Sequence, residues 1–399
     1  MANTLKFGNG EWYGKRNTIL AYNDENNNYK PLPFDFSRES SATKINENGL
    51  IKKVDINEAK VDYKNNTEGA LLLEPSRTNL ILTSASGTYG NSPGSEANTT
   101  SPDGTNNAII PTPDSNADRY ERSIGNNTYA TDTKLVYSWY RKRISTPTDG
   151  SFLGDLHFKV LVNVTQVGST TQIQSDVNGF DRFQAVLNIT DGSSYTTIRA
   201  YFGQIIGIGN SSVAYFGHQL EVGSYATSYI PTQGSTVTRL SDICNNGGNE
   251  QVFNDSEGVL YAEVKGFEEV PSSSGYITIS SPAVSFTNAA VLQFRNNGDL
   301  RFYFGGSAQA NIQFIDSSID FTENNKIAVQ YDSNGSNYKM FVNGVSISRY
   351  SSATNQSVSG LSELNLNYGT GLSFIGEVKD IRVYNNSLTD EELQSLTTI

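Results

Sequence analysis

The chain has 399 residues and a formal net charge of -12, with 29 Lys and Arg against 41 Asp and Glu. It is polar without being highly charged: charged residues make up 18%, alongside 42 Asn, 35 Gly, 22 Tyr and 19 Phe. Asn, Gly, Ser and Thr favour turns, and Tyr, Phe, Val and Ile favour strands, so the expected fold class is all-β with many tight turns. No apolar run reaches the ~18 residues of a membrane span, so no membrane insertion is expected. The opening MANTLKFGNGEWYGK lacks the apolar core of a secretory signal. Cys244 is the single cysteine, which excludes an intrachain disulfide, and two histidines, His157 and His218, cannot build a His-rich metal site. An acidic chain without basic blocks argues against nucleic acid as a partner.

At roughly 150 residues per domain, two or three domains are expected. Residues 1–83 read as a small N-terminal module of short strands, containing PFDFSRESSATKINENGLI (33–51) and GALLLEPSRTNLIL (69–82). Residues 84–104 read as loop. Residues 84–240 hold the next block. In TKLVYSWYRKRI (133–144), Leu135, Tyr137, Trp139 and Arg141 alternate against Val136, Ser138 and Tyr140, a strand period with one aromatic face. Further strands are expected at 156–165, 183–190, 196–205 and 212–222, spaced as in a β-sandwich or jelly roll. Residues 228–250 read as a connector into the last block, 241–399. There Asn297-Gly298, Asn334-Gly335 and Asn343-Gly344 each mark a hairpin of type I′, together forming a meander. Residues 258–267 and 376–386 read as the first and last strands of a second sandwich. One short C-terminal helix is expected, with Thr389 and Glu392 as a capping box and Leu393 and Leu396 on its packed face.

Three stretches resemble known families. PFDFSRESSATKINENGLI followed by GALLLEPSRTNLI, with the leading LKFGNGEWYGK, resembles an N-terminal module of phage head-spike or head-fibre proteins. SPDGTNNA (101–108) and GHQLEVGSYATSYIPTQGSTVTRLSDIC resemble the two ends of the carbohydrate-binding-like jelly roll that follows that module. YKMFVNGV and GEVKDIRVYNNSLTDEELQSL are similar to the end of the laminin-G/concanavalin A-like lectin fold. The resemblances imply a bacteriophage virion protein made in the host bacterial cytoplasm. Its attachment segment would include Phe34, Phe36, Arg38, Arg77 and Asn79. Its implied partners are other virion proteins (capsid, portal, collar or tail), further copies of itself as a homo-oligomer, by analogy a trimer, and host-surface or mucosal glycans. A head fibre or spike is the first reading. A tail fibre, a lectin-fold glycanase and an inert collar or capsid-stabilising protein are the alternatives.

The residues themselves point to no catalyst. A glycanase needs two convergent carboxylates about 5 to 9 Å apart. Glu377 and Asp380 are three apart on one strand, a spacing that sends them to opposite faces. A glycan site pairs an aromatic platform with polar donors and acceptors. Trp139, Tyr137, Arg141, Tyr215, Tyr303 and Tyr331 are the candidates, each weighed against a place in the core. No cofactor is expected. A structural calcium ion is the one metal considered, at Asp103, Asp114 and Asp118 or at Asp242, Asn245, Asn246 and Asn249, against ordinary turn chemistry.

Overall fold

The computed structural model describes residues 5–8, 12–15, 18–20, 34–64, 66–85, 94–113, 120–144, 157–161, 164–192, 196–202, 213–268, 271, 273–282, 288–305, 312–333, 337–350, 357–368 and 372–399. The described chain is nearly all β, with one short helix at its C-terminal end. Two sandwiches account for most of the strands.

One sandwich is closed by the last third of the chain. An eight-stranded sheet runs Val345–Ser346, Lys339–Val342, Asn325–Asp332, Glu257–Lys265, Gly376–Tyr384, Ala70–Leu73, Val61–Asp62, and Leu5–Gly8 also pairs with Gly376–Tyr384. A five-stranded sheet runs Ile312–Asp316, Leu300–Phe304, Ala289–Phe294, Gly275–Ser280, Glu363–Asn365. Their inner faces share one core that includes Ile277, Leu292, Phe302, Val329 and Ile381. The expected first and last strands pair with each other, Tyr261 opposite Arg382. The expected single meander is instead divided between the two sheets. The hairpin at Asn297-Gly298 lies in the five-stranded sheet, and the strands on either side of Asn343-Gly344 lie in the eight-stranded one.

Turn chemistry explains the detail. Asn343 and Gly344 both take positive φ, 51° and 80°, the type I′ geometry that matches strand twist. At Asn297-Gly298 only the glycine does, at 89°. Gly298 N donates to Arg295 O at 3.0 Å, giving a longer loop than the two-residue turn expected. Asn334-Gly335 lies outside the described residues, although the strands around it pair, Gln330 with Lys339. The helix Asp390–Thr397 carries the expected capping box, and Leu393 is buried against the sheet's outer face.

The other sandwich has a six-stranded sheet, Gly94–Thr99, Ala108–Pro113, Val213–Val222, Lys134–Arg143, Phe180–Ile189, Val164–Val177, and a three-stranded sheet, Tyr120–Asn127, Thr196–Phe202, His157–Leu161. Part of the stretch read as loop, Gly94–Thr99, is therefore a strand. The run at 156–165 is split between the two sheets. Strand Lys134–Arg143 has the expected period, but both of its faces are covered. Leu135, Tyr137 and Trp139 join this sandwich's core. Tyr140 packs on the other side with Ile45 and Ile51, from the hairpin Ala42–Ile45 and Ile51–Val54.

The boundary expected at residue 83 divides hydrogen-bonded sheets. Leu5–Gly8 and Ala70–Leu73 each take half of one edge of Gly376–Tyr384: Phe7 pairs with Ile381, and Leu71 with Val378. The supposed connector is equally built in. Val237–Arg239 pairs with Arg77–Asn79, and Ile243–Asn245 with Phe34–Ser37. Residues 1–83 thus supply strands that the C-terminal sandwich lacks, rather than standing apart from it.

A buried ion network joins these segments. Arg38 Nη1 lies 3.0 Å from Asp242 Oδ1, and Lys60 Nζ lies 2.9 Å from Asp242 Oδ2. Lys60 and Arg239 both pair with Glu74, and none of these five side chains is more than 1% exposed. Glu74 also accepts from Ser228 N at 2.6 Å and Ser228 Oγ at 2.7 Å. Its backbone N donates to Asp242 Oδ2 at 2.8 Å, and Asp242 N returns a bond to Glu74 O at 3.0 Å. Burial pushes the Glu74 carboxyl up, but Arg239 and Lys60 outweigh it and hold the group well below the usual carboxylate range.

Two outcomes are expected. Asp242→Ala leaves Arg38 without its carboxylate and Lys60 with Glu74 alone, so urea unfolding should show a loss of about 3–5 kcal/mol. The Glu74 contribution is fully present above the ordinary carboxylate range and is lost as pH falls toward its depressed folded value. Melting temperature should therefore drop on acidification below about pH 4, and the drop should be shallower in Glu74→Gln.

Candidate ligand-binding groove

Most of the residues selected from sequence are structural. Tyr137 and Trp139 are wholly buried, and Tyr215, Tyr303 and Tyr331 are at most 3% exposed. Trp139 stacks on Phe183 with ring centroids 5.9 Å apart, Tyr331 stacks on Phe304 at 4.7 Å, and the Tyr137 hydroxyl bonds His218 Nδ1 at 2.7 Å. These rings present no face to a sugar, which corrects the aromatic candidates. Of the six, Arg141 alone is partly exposed, and it lies over the Phe183 ring at 4.3 Å.

The attachment candidates are likewise occupied internally. Phe34 packs on Phe7 at 4.2 Å, Phe36 joins the same core, and Arg38 belongs to the ion network. Asn79 Nδ2 donates to Ile230 O at 2.9 Å and His218 O at 3.3 Å, while its Oδ1 accepts from Ile81 N and Leu220 N at 3.1 Å each. Only Arg77 reaches a cleft.

The calcium candidates behave as turn and core residues. Asp103 Oδ1 accepts from Ser101 Oγ at 2.6 Å and Thr105 N at 2.9 Å, and Asp242 is ion-paired. Asp114 and Asp118 lie outside the described residues. Among the described residues, no three His, Cys, Asp or Glu side chains gather as a metal site.

The carboxylates Glu377 and Asp380 depart from simple alternation. Val264 pairs with Val378 and Glu263 with Asp380, so Lys379 is an extra residue in a β-bulge. The bulge shifts the phase. Val378, Ile381 and Val383 all enter the core, which leaves Glu377 and Asp380 on the same outer face. Asp380 is nonetheless sealed at 2% exposure and bonded by Arg382 Nε at 2.9 Å and Nη2 at 2.5 Å.

A groove opens where the two sandwiches meet. Tyr225 follows strand Val213–Val222, and Phe267 follows strand Glu257–Lys265. Their rings stack with centroids 5.1 Å apart, and both residues line two adjoining clefts of about 200 and 210 Å³. Pro75, Arg77, Glu268, Phe294 and Phe374 complete the first cleft. Arg77 stands over the Tyr225 ring at 5.4 Å, and Glu268 accepts from Ser224 Oγ. The second cleft is polar, with Lys64, Gln184, Lys265, Asn324, Glu377 and Lys379. Burial pushes the Glu377 carboxyl up against the opposing pull of Lys64. Burial likewise pushes the Lys64 ammonium down.

Two backbone contacts set the lysines. Trp12 Nε1 donates to Lys379 O at 3.1 Å. Gly376, at φ 152°, lets Lys265 O approach so closely that an added Cβ would sit 2.2 Å from it. An aromatic wall flanked by cations, amides and carboxylates is the chemistry that holds a sugar ring: the π-face meets C–H bonds while polar groups set orientation.

Residues 267–394 match the family model of the concanavalin A-like lectin/glucanases superfamily. The match begins at Phe267, on the groove. No curated protein matches the chain. Among solved structures, the chain is similar to the Ruminococcus gnavus IT-sialidase CBM40 bound to alpha2,3 sialyllactose: 19% identity over 37% of this chain and 86% of that one, TM-score 0.32. A leech intramolecular trans-sialidase complexed with 2,7-anhydro-Neu5Ac is similar at 19% identity over 38% of this chain and 24% of that one, TM-score 0.32. A putative carbohydrate binding protein from Bacteroides ovatus is similar at 13% identity over 71% and 81%, TM-score 0.29.

Neither Tyr225 nor Phe267 was selected from sequence. Both sit just beyond a strand end, where loops carry binding residues on a rigid scaffold, and that position is the signal that could have found them. The contrast is measurable: Trp139→Ala should cost about 3–5 kcal/mol of unfolding free energy, whereas Phe267→Ala, at a partly buried residue, should cost clearly less in the same urea titration.

Proposed function

We propose that this protein is a glycan-binding protein whose ligand lies in the groove around Tyr225 and Phe267. The observation that carries this is the stacked aromatic pair at a cleft edge, of which Phe267 lies within the lectin-family match. Binding without hydrolysis is the favoured chemistry, because Asp380, one of the two carboxylates considered for catalysis, is sealed and committed to Arg382. The proposed setting is the surface of a phage particle, where many weak sites would act together. That setting rests on the N-terminal sequence resemblance. A particle contact would have to use surface other than Phe34, Phe36, Arg38 and Asn79, which are spent on internal packing.

The test is a glycan array probed with the full chain, followed by affinity electrophoresis on the best polysaccharide. Phe267→Ala should weaken retention about tenfold, the equivalent of ~1.4 kcal/mol, with little change in melting temperature. A blank array, or equal retention by the variant, would overturn the groove as the site. Reducing-sugar release from the retained polysaccharide would show a glycanase instead.

A further inference from the structure

We infer that the groove selects a sugar bearing a carboxylate, held by the guanidinium of Arg77. This rests on the glycan-binding reading above and names the ligand class for that site. The first observation is an orphaned donor. Arg77 Nε is buried and has no hydrogen-bond partner, while its Nη1 donates only a 3.3 Å bond to Ser76 O. Four other arginine Nε atoms among the described residues are orphaned in the same way, and Arg77 Nε is closed to solvent, so a ligand oxygen would meet the outer Nη end of the guanidinium, whose bond to Ser76 O is long. The second observation is location, since Arg77 lines the cleft and lies over Tyr225, the shared aromatic wall. Its backbone is fixed from behind, where Arg77 pairs with Arg239 in a two-stranded ladder. The side chain therefore starts from a fixed point, and its guanidinium is placed over the Tyr225 ring.

The third observation is charge. In a chain of formal charge -12, the two clefts bring together Arg77, Lys64, Lys265 and Lys379 against Glu268 and Glu377. Lys379 is shared with Glu263 at 3.6 Å, so the balance around the groove is modestly positive. A planar guanidinium matches a carboxylate through two parallel N–H bonds, whereas lysine offers only a point charge. The site chemistry thus fits a uronic acid or another carboxylated sugar whose ring lies along Phe267, with Tyr225 backing that ring and the lysines drawing in the acidic chain. Glu268 at the same cleft would accept from sugar hydroxyls.

The experiment compares the full chain and Arg77→Lys on polygalacturonate (carboxylated), dextran sulfate (sulfated) and dextran (neutral) by affinity electrophoresis, with melting temperature as the fold check. Wild type should retain on polygalacturonate at least tenfold better than on dextran. Arg77→Lys, which keeps the charge and loses the fork, should lose about tenfold on polygalacturonate alone at an unchanged melting temperature. If Arg77→Lys misfolds, Arg77→Gln and the salt dependence of the wild type provide the same comparison. Equal retention on polygalacturonate and dextran, or dextran sulfate bound best with no effect of the variant, would overturn the carboxylate assignment and leave the groove standing. No retention on any of the three, together with a blank glycan array, would sink the glycan-binding reading itself.

Discussion

Five charged side chains with almost no access to water hold the architecture together. Arg38, Lys60 and Glu74 come from the first part of the chain, and Arg239 and Asp242 from beyond the middle sandwich. Removing charges from water is expensive unless each is paired and hydrogen-bonded. Here the pairing is mutual, and main chain fills much of the remaining capacity, Arg239 Nε excepted: Arg38 donates to Ser40 O at 2.8 Å and Asp55 O at 2.7 Å, and Glu74 accepts from Ser228. Such a cluster is satisfied in one arrangement only, because any shift of one segment strands a charge. It therefore fixes register between segments about 160 to 200 residues apart in sequence, from Glu74–Arg239 to Arg38–Asp242.

The groove inherits its geometry from that weld. Pro75 follows Glu74 directly, Arg77 lies three residues after it, and Tyr225 lies three residues before Ser228, which bonds Glu74. On the other side, strand Gly376–Tyr384 has an edge completed by Leu5–Gly8 and Ala70–Leu73. Its bulge at Lys379 is held by Trp12. The walls of the cleft thus belong to segments distant in sequence whose mutual position is set by buried polar contacts. The middle sandwich and the lectin-like sandwich meet through Tyr225 and Phe267, and each contributes one ring.

The aromatic residues show where sequence reasoning succeeds and where it stops. Period-two alternation correctly identified Lys134–Arg143 as a strand. Alternation marks a face, however, and not what covers it. Trp139 is buried among neighbours on its own sheet and Ile81, and the face with Tyr140 is covered by a hairpin from residues 42–54. Glu377 and Asp380 illustrate the same limit, because one inserted residue at Lys379 reverses the phase on which the opposite-face argument depends. The mixed fate of the Asn-Gly turns follows from loop length: where two residues join paired positions, as at Asn343-Gly344, type I′ results, and at Asn297-Gly298 a longer loop needs positive φ at the glycine alone.

From its sequence alone the protein was legible as an all-β chain with a lectin-like C-terminal sandwich, a capped terminal helix and no covalent staple. Those features depend on local preferences: strand-forming side chains, turn residues with accessible positive φ, and a Thr-x-x-Glu cap. Only the tertiary structure decided that Leu5–Gly8, Val61–Asp62 and Ala70–Leu73 complete the last sandwich, that the conspicuous aromatics are core, and that Arg77, Tyr225 and Phe267 converge. Edge completion and charge burial are long-range constraints. They depend on which unpaired strand edge and which counter-charge the folded chain brings into reach, and no local pattern encodes that.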